Sequence, residues 1–263
     1  MHGWGTSIAL IGVVGLAATT PTRAGAAAKD TTIVLVHGAF AESASWNGVI
    51  ADLTARGYPV VAAANPLRGV RSDATYLSAI VKSIGGPVVL VGHSYGGSVI
   101  SMAADGNDDV KALVFVAGLA PDTGESAGDL VGRFAGSTLA ETLAPAVPQV
   151  DGGKDIYIQE SRYPAQFAAD VHLGEATQMA ATQRPIAEAA LSEPFAGSPA
   201  WRKVPSWFVY GSLDKNIPPA AHAFMAKRAK SAQAIEVEGA SHVVMISHPH
   251  DVATLIERSA SEN

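Results

Sequence analysis

Val88-Val89-Leu90-Val91-Gly92-His93-Ser94-Tyr95-Gly96-Gly97 is the stretch that decides how this chain is read: a β-branched, apolar run drives into Gly-x-Ser-x-Gly and then into an apolar helical pattern. A sharp strand-to-helix turn of this kind holds a serine hydroxyl clear of the backbone, where a base can take its proton. Ser94 is therefore the candidate nucleophile, and the helix N-terminus just after it offers free N–H groups to a developing oxyanion. Gly92 and Gly96 suit the turn because side chains there would collide with the opposing strand or helix.

The surrounding sequence has the same rhythm. Thr31 to Gly38 is a continuous apolar run, as expected of a strand buried on both faces of a parallel sheet. Trp46, Val49, Ile50 and Leu53 recur at helical spacing up to Gly57, and Pro59 to Ala63 supplies another strand. Leu77, Ile80, Val81 and Ile84 repeat the helical pattern, with Gly85-Gly86 as its stop. After the turn come a helix from Ser94 to about Ala104 and a strand from Lys111 to Ala117. Strict alternation predicts an α/β fold with a doubly wound, mainly parallel sheet, and ligands at the carboxyl ends of its strands. Between Asp122 and about Ala200 the rhythm breaks into helical segments with Pro and Gly signals, which reads as an inserted helical cap. Alternation resumes with Ser206 to Gly211, a helix from about Ala220 to Lys230, a strand from Ala234 to Val237 and a last helix on Val252, Leu255 and Ile256.

Composition removes several function classes. The chain has 263 residues, 48% of them hydrophobic, enough to fill one large domain, here taken as residues 29–263 with the cap at 122–200. A net charge of −6 from only 16% charged residues, with no Lys/Arg cluster, speaks against nucleic acid as a partner. Cysteine is absent, which excludes disulfides and thiol catalysis, and the eight histidines form no metal-ligand motif, so neither metal nor cofactor is expected. The apolar run Ile8 to Ala18, followed by Ala24 to Ala28, is too short to span a bilayer and reads as a signal peptide over residues 1–28. A secreted or periplasmic protein without stable membrane insertion is the expectation. The n-region lacks Lys and Arg, which keeps a cytoplasmic protein as the alternative.

A serine at such a turn needs a base and a group to orient it, in the chain order Ser, acid, His when they hang from successive strand ends. Asp214 lies four residues beyond Tyr210, and His242 follows the strand that ends at Val237, so both belong to the same rim as Ser94. Asp122, after the preceding strand, is the rival acid. His37 reads as a structural residue shaping the loop that begins at Gly38. His172 and His222 read as surface residues, and His93 and His248 have no role legible in the sequence. Two N–H donors are needed for the oxyanion: the backbone of Tyr95 supplies one, and Ala39, where the chain turns from strand to helix, the other.

These residues resemble the α/β-hydrolases, and more narrowly the small capped branch containing plant methylesterases, hydroxynitrile lyases and their bacterial esterase relatives. The resemblance runs from about Thr31 to Ala260. It is carried by Val36-His37-Gly38-Ala39, Gly92 to Gly97, Asp214 followed by Ile217-Pro218, and Ser241-His242 followed by His248-Pro249. It implies a Ser94, Asp214 and His242 triad with Ala39 and Tyr95 donating to the oxyanion. In the lyase branch a lysine follows the catalytic histidine and a threonine follows the oxyanion-loop histidine. The corresponding Val243 and Gly38 favour ester hydrolysis over cyanohydrin cleavage. A serine at position 94 argues against epoxide hydrolases and haloalkane dehalogenases, which use a carboxylate there. Hydroxynitrile-lyase-like activity, perhydrolysis as a side activity and a non-enzymatic ligand receptor on the same scaffold stay as alternatives. The cap aromatics Phe134, Tyr157, Tyr163, Phe167 and Phe195 suggest a pocket for a small, mainly apolar ester.

Overall fold

The computed structural model describes residues 1–3 and 29–262. The apolar run and small-residue stretch read as a leader fall outside the described residues. Six parallel strands form the main sheet: β1 (Thr32–Val36), β2 (Val60–Ala63), β3 (Val88–His93), β4 (Val110–Val116), β8 (Ser206–Gly211) and β9 (Gln233–Val237), in the order β2-β1-β3-β4-β8-β9. Every residue of β3 and β8 is buried, which explains why those strands read as unbroken apolar runs rather than alternating ones. The edge strands β2 and β9 are only partly covered.

Direction reverses at β1. The chain moves from β1 to β2 through α1 (Asn47–Ala55), then crosses back to β3 through α2 (Val70–Ile84) and on to β4 through α3 (Gly96–Ala103). Right-handed crossovers in opposite directions place their helices on opposite faces. Accordingly α2 packs on α3, while α1 packs on the last helix, α10 (Pro249–Ser261). Helix α8 (Pro219–Arg228) joins β8 to β9, and the short α9 (Val244–Ser247) precedes α10. Gly85 closes α2 with φ +67°, a left-handed cap that glycine adopts without a Cβ penalty.

The segment between β4 and β8 differs from an all-helical insertion. It holds the helices α4 (Ala127–Gly132), α5 (Tyr163–Phe167), α6 (Leu173–Thr182) and α7 (Glu188–Ser192), and also an antiparallel sheet of β5 (Val147–Pro148), β6 (Lys154–Ile156) and β7 (Ile186–Ala187). Strands of two or three residues are too short to leave an alternating pattern, so the sequence shows only loop signals there.

Candidate active site

The reversal of strand order leaves a crevice between the carboxyl ends of β1 and β3, which pair with Val36 opposite Gly92. Both strands run into loops that carry candidate site residues at that point. After β3 the chain turns at Ser94 with φ +52°, a left-handed conformation that costs a non-glycine residue about 1–2 kcal/mol. Neighbouring hydrogen bonds hold it there: Ser94 N–H donates to Val116 O, and Ser94 O accepts from Gly97 and Leu119 N–H, both at 3.0 Å. A Cβ on Gly92 would lie 2.6 Å from Gly96 O, so the turn closes only over glycine. Gly38 answers to Ser94 directly, since a Cβ there would sit 2.5 Å from Ser94 Cβ and 2.7 Å from His93 O.

Ser94, His242, Ala39 and Tyr95 line one cavity of about 500 Å³. The N–H groups of Ala39 and Tyr95 have no acceptor among the described residues, whereas the next amide, Phe40 N–H, donates to Arg184 O. Two unengaged donors beside a serine hydroxyl are what a developing oxyanion requires.

His242 reaches the cavity from the loop after β9, and Asp214, in the loop after β8, meets His242 without lining the cavity. Asp214 Oδ2 accepts from His242 Nδ1 at 2.7 Å, with both side chains buried. Because a carboxylate only accepts, the Nδ1 proton is fixed and His242 Nε2 remains as the basic nitrogen. No hydrogen bond joins Ser94 Oγ to His242 among the described residues; such bonds commonly tighten only when substrate is bound. Asp214 Oδ1 accepts from the N–H groups of Asn216 (2.8 Å) and Ile217 (3.0 Å). Burial pushes the Asp214 carboxyl up, but the attraction of His242 and the hydrogen bonds from His222 and His242 outweigh it and hold the group well below the usual carboxylate range.

The rival acid, Asp122, instead pairs with Arg202 at 2.5 Å and makes no bond to His242. His37 is buried: its Nδ1–H donates to Gly38 O and its Nε2 accepts Asn65 N–H, which pins the loop carrying Ala39. Burial pushes His37 down to about 4, with Arg184 adding to the effect and the Gly38 carbonyl opposing it. His172 is exposed and caps α6.

His222 is a correction. Read as a surface residue, it is fully buried on α8, stacked on Tyr210 with ring centroids 4.8 Å apart, and its Nε2 lies 3.2 Å from Asp214 Oδ2. Val243 is a second. Although it stands where the lyase branch carries a lysine, it lies in the hydrophobic core and contributes nothing to the cavity surface. The rings that meet His242 are Phe167, 5.0 Å away, and His93, 4.8 Å away, whose Nε2–H donates to His242 O.

Of the cap aromatics, Phe134 and Phe167 line the cavity, while Phe195 is packing and Tyr157 lies off the cavity wall. The short helix α5 matters more than its length suggests. Tyr163 Oη donates to Phe40 O at 2.7 Å, Gln166 bonds Lys215 O and the Asn216 side chain, and the Phe167 ring packs on His242 and His93. Three residues of this one short helix thus touch the Ala39 loop, the Asp214 loop and His242. A second cavity, about 380 Å³, is lined by Phe40 and Tyr163 and includes none of Ser94, Asp214 or His242.

Several known proteins share this architecture. Polyneuridine aldehyde esterase is 18% identical with a TM-score of 0.75, over 88% of this chain and all of that one. An extracellular α/β-hydrolase from a Paenibacillus species is 21% identical with a TM-score of 0.72, over 87% and 98% of the two chains. In sequence, the alpha/beta hydrolase nvfD of Aspergillus novofumigatus (strain IBT 16806) is 27% identical over 255 residues, 88% of this chain and 96% of that protein. The model of the alpha/beta hydrolase family matches residues 33–255, and the chain belongs to that family.

Proposed function

We propose that the protein is a serine carboxylesterase that cleaves a small, mainly apolar ester through an acyl-enzyme. His242 Nε2 takes the Ser94 proton as Oγ attacks the ester carbonyl, and the oxyanion is received by the Ala39 and Tyr95 N–H groups. The imidazolium, oriented by Asp214, then protonates the departing alkoxide. Water, deprotonated by the same nitrogen, releases the carboxylic acid and restores the serine. One observation carries this reading: a cavity wall that brings together Ser94, two amide donors without acceptors, and a histidine whose other nitrogen is held by a buried carboxylate.

The cavity supports the substrate class. Leu119, Val131, Leu139, Leu143, Leu191 and Ile217 supply much of its surface, and no Asp, Glu, Lys or Arg lines it. An anionic substrate would lose its hydration there without a partner, and a departing cyanide would meet no side-chain cation, so neutral esters are favoured over cyanohydrins. That a structurally similar protein is named an esterase agrees with the reading.

The wild-type protein is expected to hydrolyse short p-nitrophenyl esters and to be labelled by a fluorophosphonate at Ser94. Ser94→Ala is expected to abolish both while circular dichroism stays unchanged. More than about 1% residual activity, or labelling elsewhere, would remove Ser94 from the mechanism. A receptor without activity would fail to label.

A further inference from the structure

We propose that His222 is a positioning residue for the Asp214–His242 pair, a fourth hydrogen-bond donor that fixes the plane and limits the basicity of the Asp214 carboxylate. The inference rests on the esterase reading, within which it adds a residue that the three-member triad does not use. A carboxylate offers about four lone-pair directions. At Asp214 all are engaged: Asn216 and Ile217 N–H on Oδ1, and His242 Nδ1 and His222 Nε2 on Oδ2. The two amides fix one oxygen relative to the loop, but only the two imidazoles fix the other.

With His242 alone on Oδ2, the carboxylate could twist about its Cβ–Cγ bond and carry the imidazole with it. His222 itself cannot drift. Its ring is stacked on Tyr210 at an interplanar angle of 20°, and Tyr210 belongs to β8, the strand from which Asp214 hangs. A neutral N–H on Oδ2 also withdraws charge from the oxygen facing His242, so the proton stays on the imidazole as the serine alkoxide forms. The titratable groups around His222 are Asp214, His242 and Tyr210, and the Gly118 carbonyl lies at its other side. Burial keeps His222 in its neutral, donating form by pushing its protonation below the usual imidazole range.

The test compares three substitutions in the full-length protein, with rates normalised to fluorophosphonate-titrated active sites so that misfolded molecules do not count. His222→Phe keeps a ring against Tyr210 and removes the donor. His222→Gln restores a donor near the position of Nε2, and His222→Asn places one too close to the backbone to reach. Expected are a kcat about tenfold or more lower for Phe and Asn, with KM within about threefold. The acid limb of kcat/KM should move to higher pH in both, because a more basic carboxylate holds the His242 proton more tightly. Gln should recover kcat to within about threefold, together with the limb. Equal normalised rates and unshifted limbs in all three would overturn the proposal, as would a Gln variant as slow as Asn. Failure of the esterase reading would show itself separately, as a wild-type protein that neither turns over esters nor labels at Ser94.

Discussion

Gly38→Ala is the smallest change that should disable the site without touching any group that reacts. The added Cβ would stand 2.5 Å from Ser94 Cβ and 2.7 Å from the His93 carbonyl oxygen. Ordinary carbon contacts lie at about 3.5–4.0 Å, so the loop and the serine must separate by about 1 Å. Each carries half of the proposed oxyanion geometry: the loop bears the Ala39 N–H, and the serine is followed by the Tyr95 N–H. A misplacement of about 1 Å costs about 10²-fold in rate, and outright loss of one oxyanion donor about 10²–10³. We expect kcat for a short p-nitrophenyl ester to fall by about 10²–10³ with KM within a few-fold. Overpacking should also cost about 1–3 kcal/mol, so urea unfolding must establish that the variant is folded at the assay temperature. A folded Gly38→Ala that retains more than about one tenth of wild-type kcat would refute the reasoning, because the loop would then have relaxed without moving the donors.

Tyr163→Phe removes the cap's bond to Phe40 O. It should lower kcat about tenfold and weaken binding of a boronic acid more than it raises KM, and an unchanged kcat would mean that the loop holds itself. Asp214→Asn should cost about 10⁴ in kcat, whereas Asp122→Asn, which touches only the contacts to Arg202 and the Thr123 N–H, should stay near wild type; the reverse ranking in steady-state assays would reassign the acid. Stability should fall as pH drops, because His37 titrates near 6.5 when unfolded and at about 4 when folded. The unfolded chain binds the extra proton first, so this contribution is complete above about pH 6.5 and is lost between there and about pH 4, by about 3 kcal/mol. His93 and His222 are lowered by burial too and act in the same direction. Urea midpoints at several pH values should therefore show a shallower slope for His37→Asn than for wild type, and parallel slopes would exclude His37 as a source.

The sequence by itself determined the sheet and the ends of its strands. β3 and β8 are covered on both faces, so burial leaves an unbroken apolar run, and a parallel α/β sheet puts the loops after such runs on one rim. The candidate residues Ser94, Asp214, His242, Ala39 and Tyr95 could be named from the sequence because each stands within a few residues of a strand end, where local spacing is enough to put it on that rim. Only the tertiary structure decided what supports them. His222 sits on a helix with alanines at 220, 221, 223 and 226, so periodicity does not single out a buried face, and its burial depends on Tyr210 across the β8–α8 packing. Gln166 and Tyr163 act on loops 50 and 123 residues away, and the small cap sheet joins strands too short to alternate. Val243 follows His242 directly, yet points into the core. Adjacency in the chain says which backbone a residue shares, while the direction of its side chain and its distant partners are set by how the layers close over the sheet.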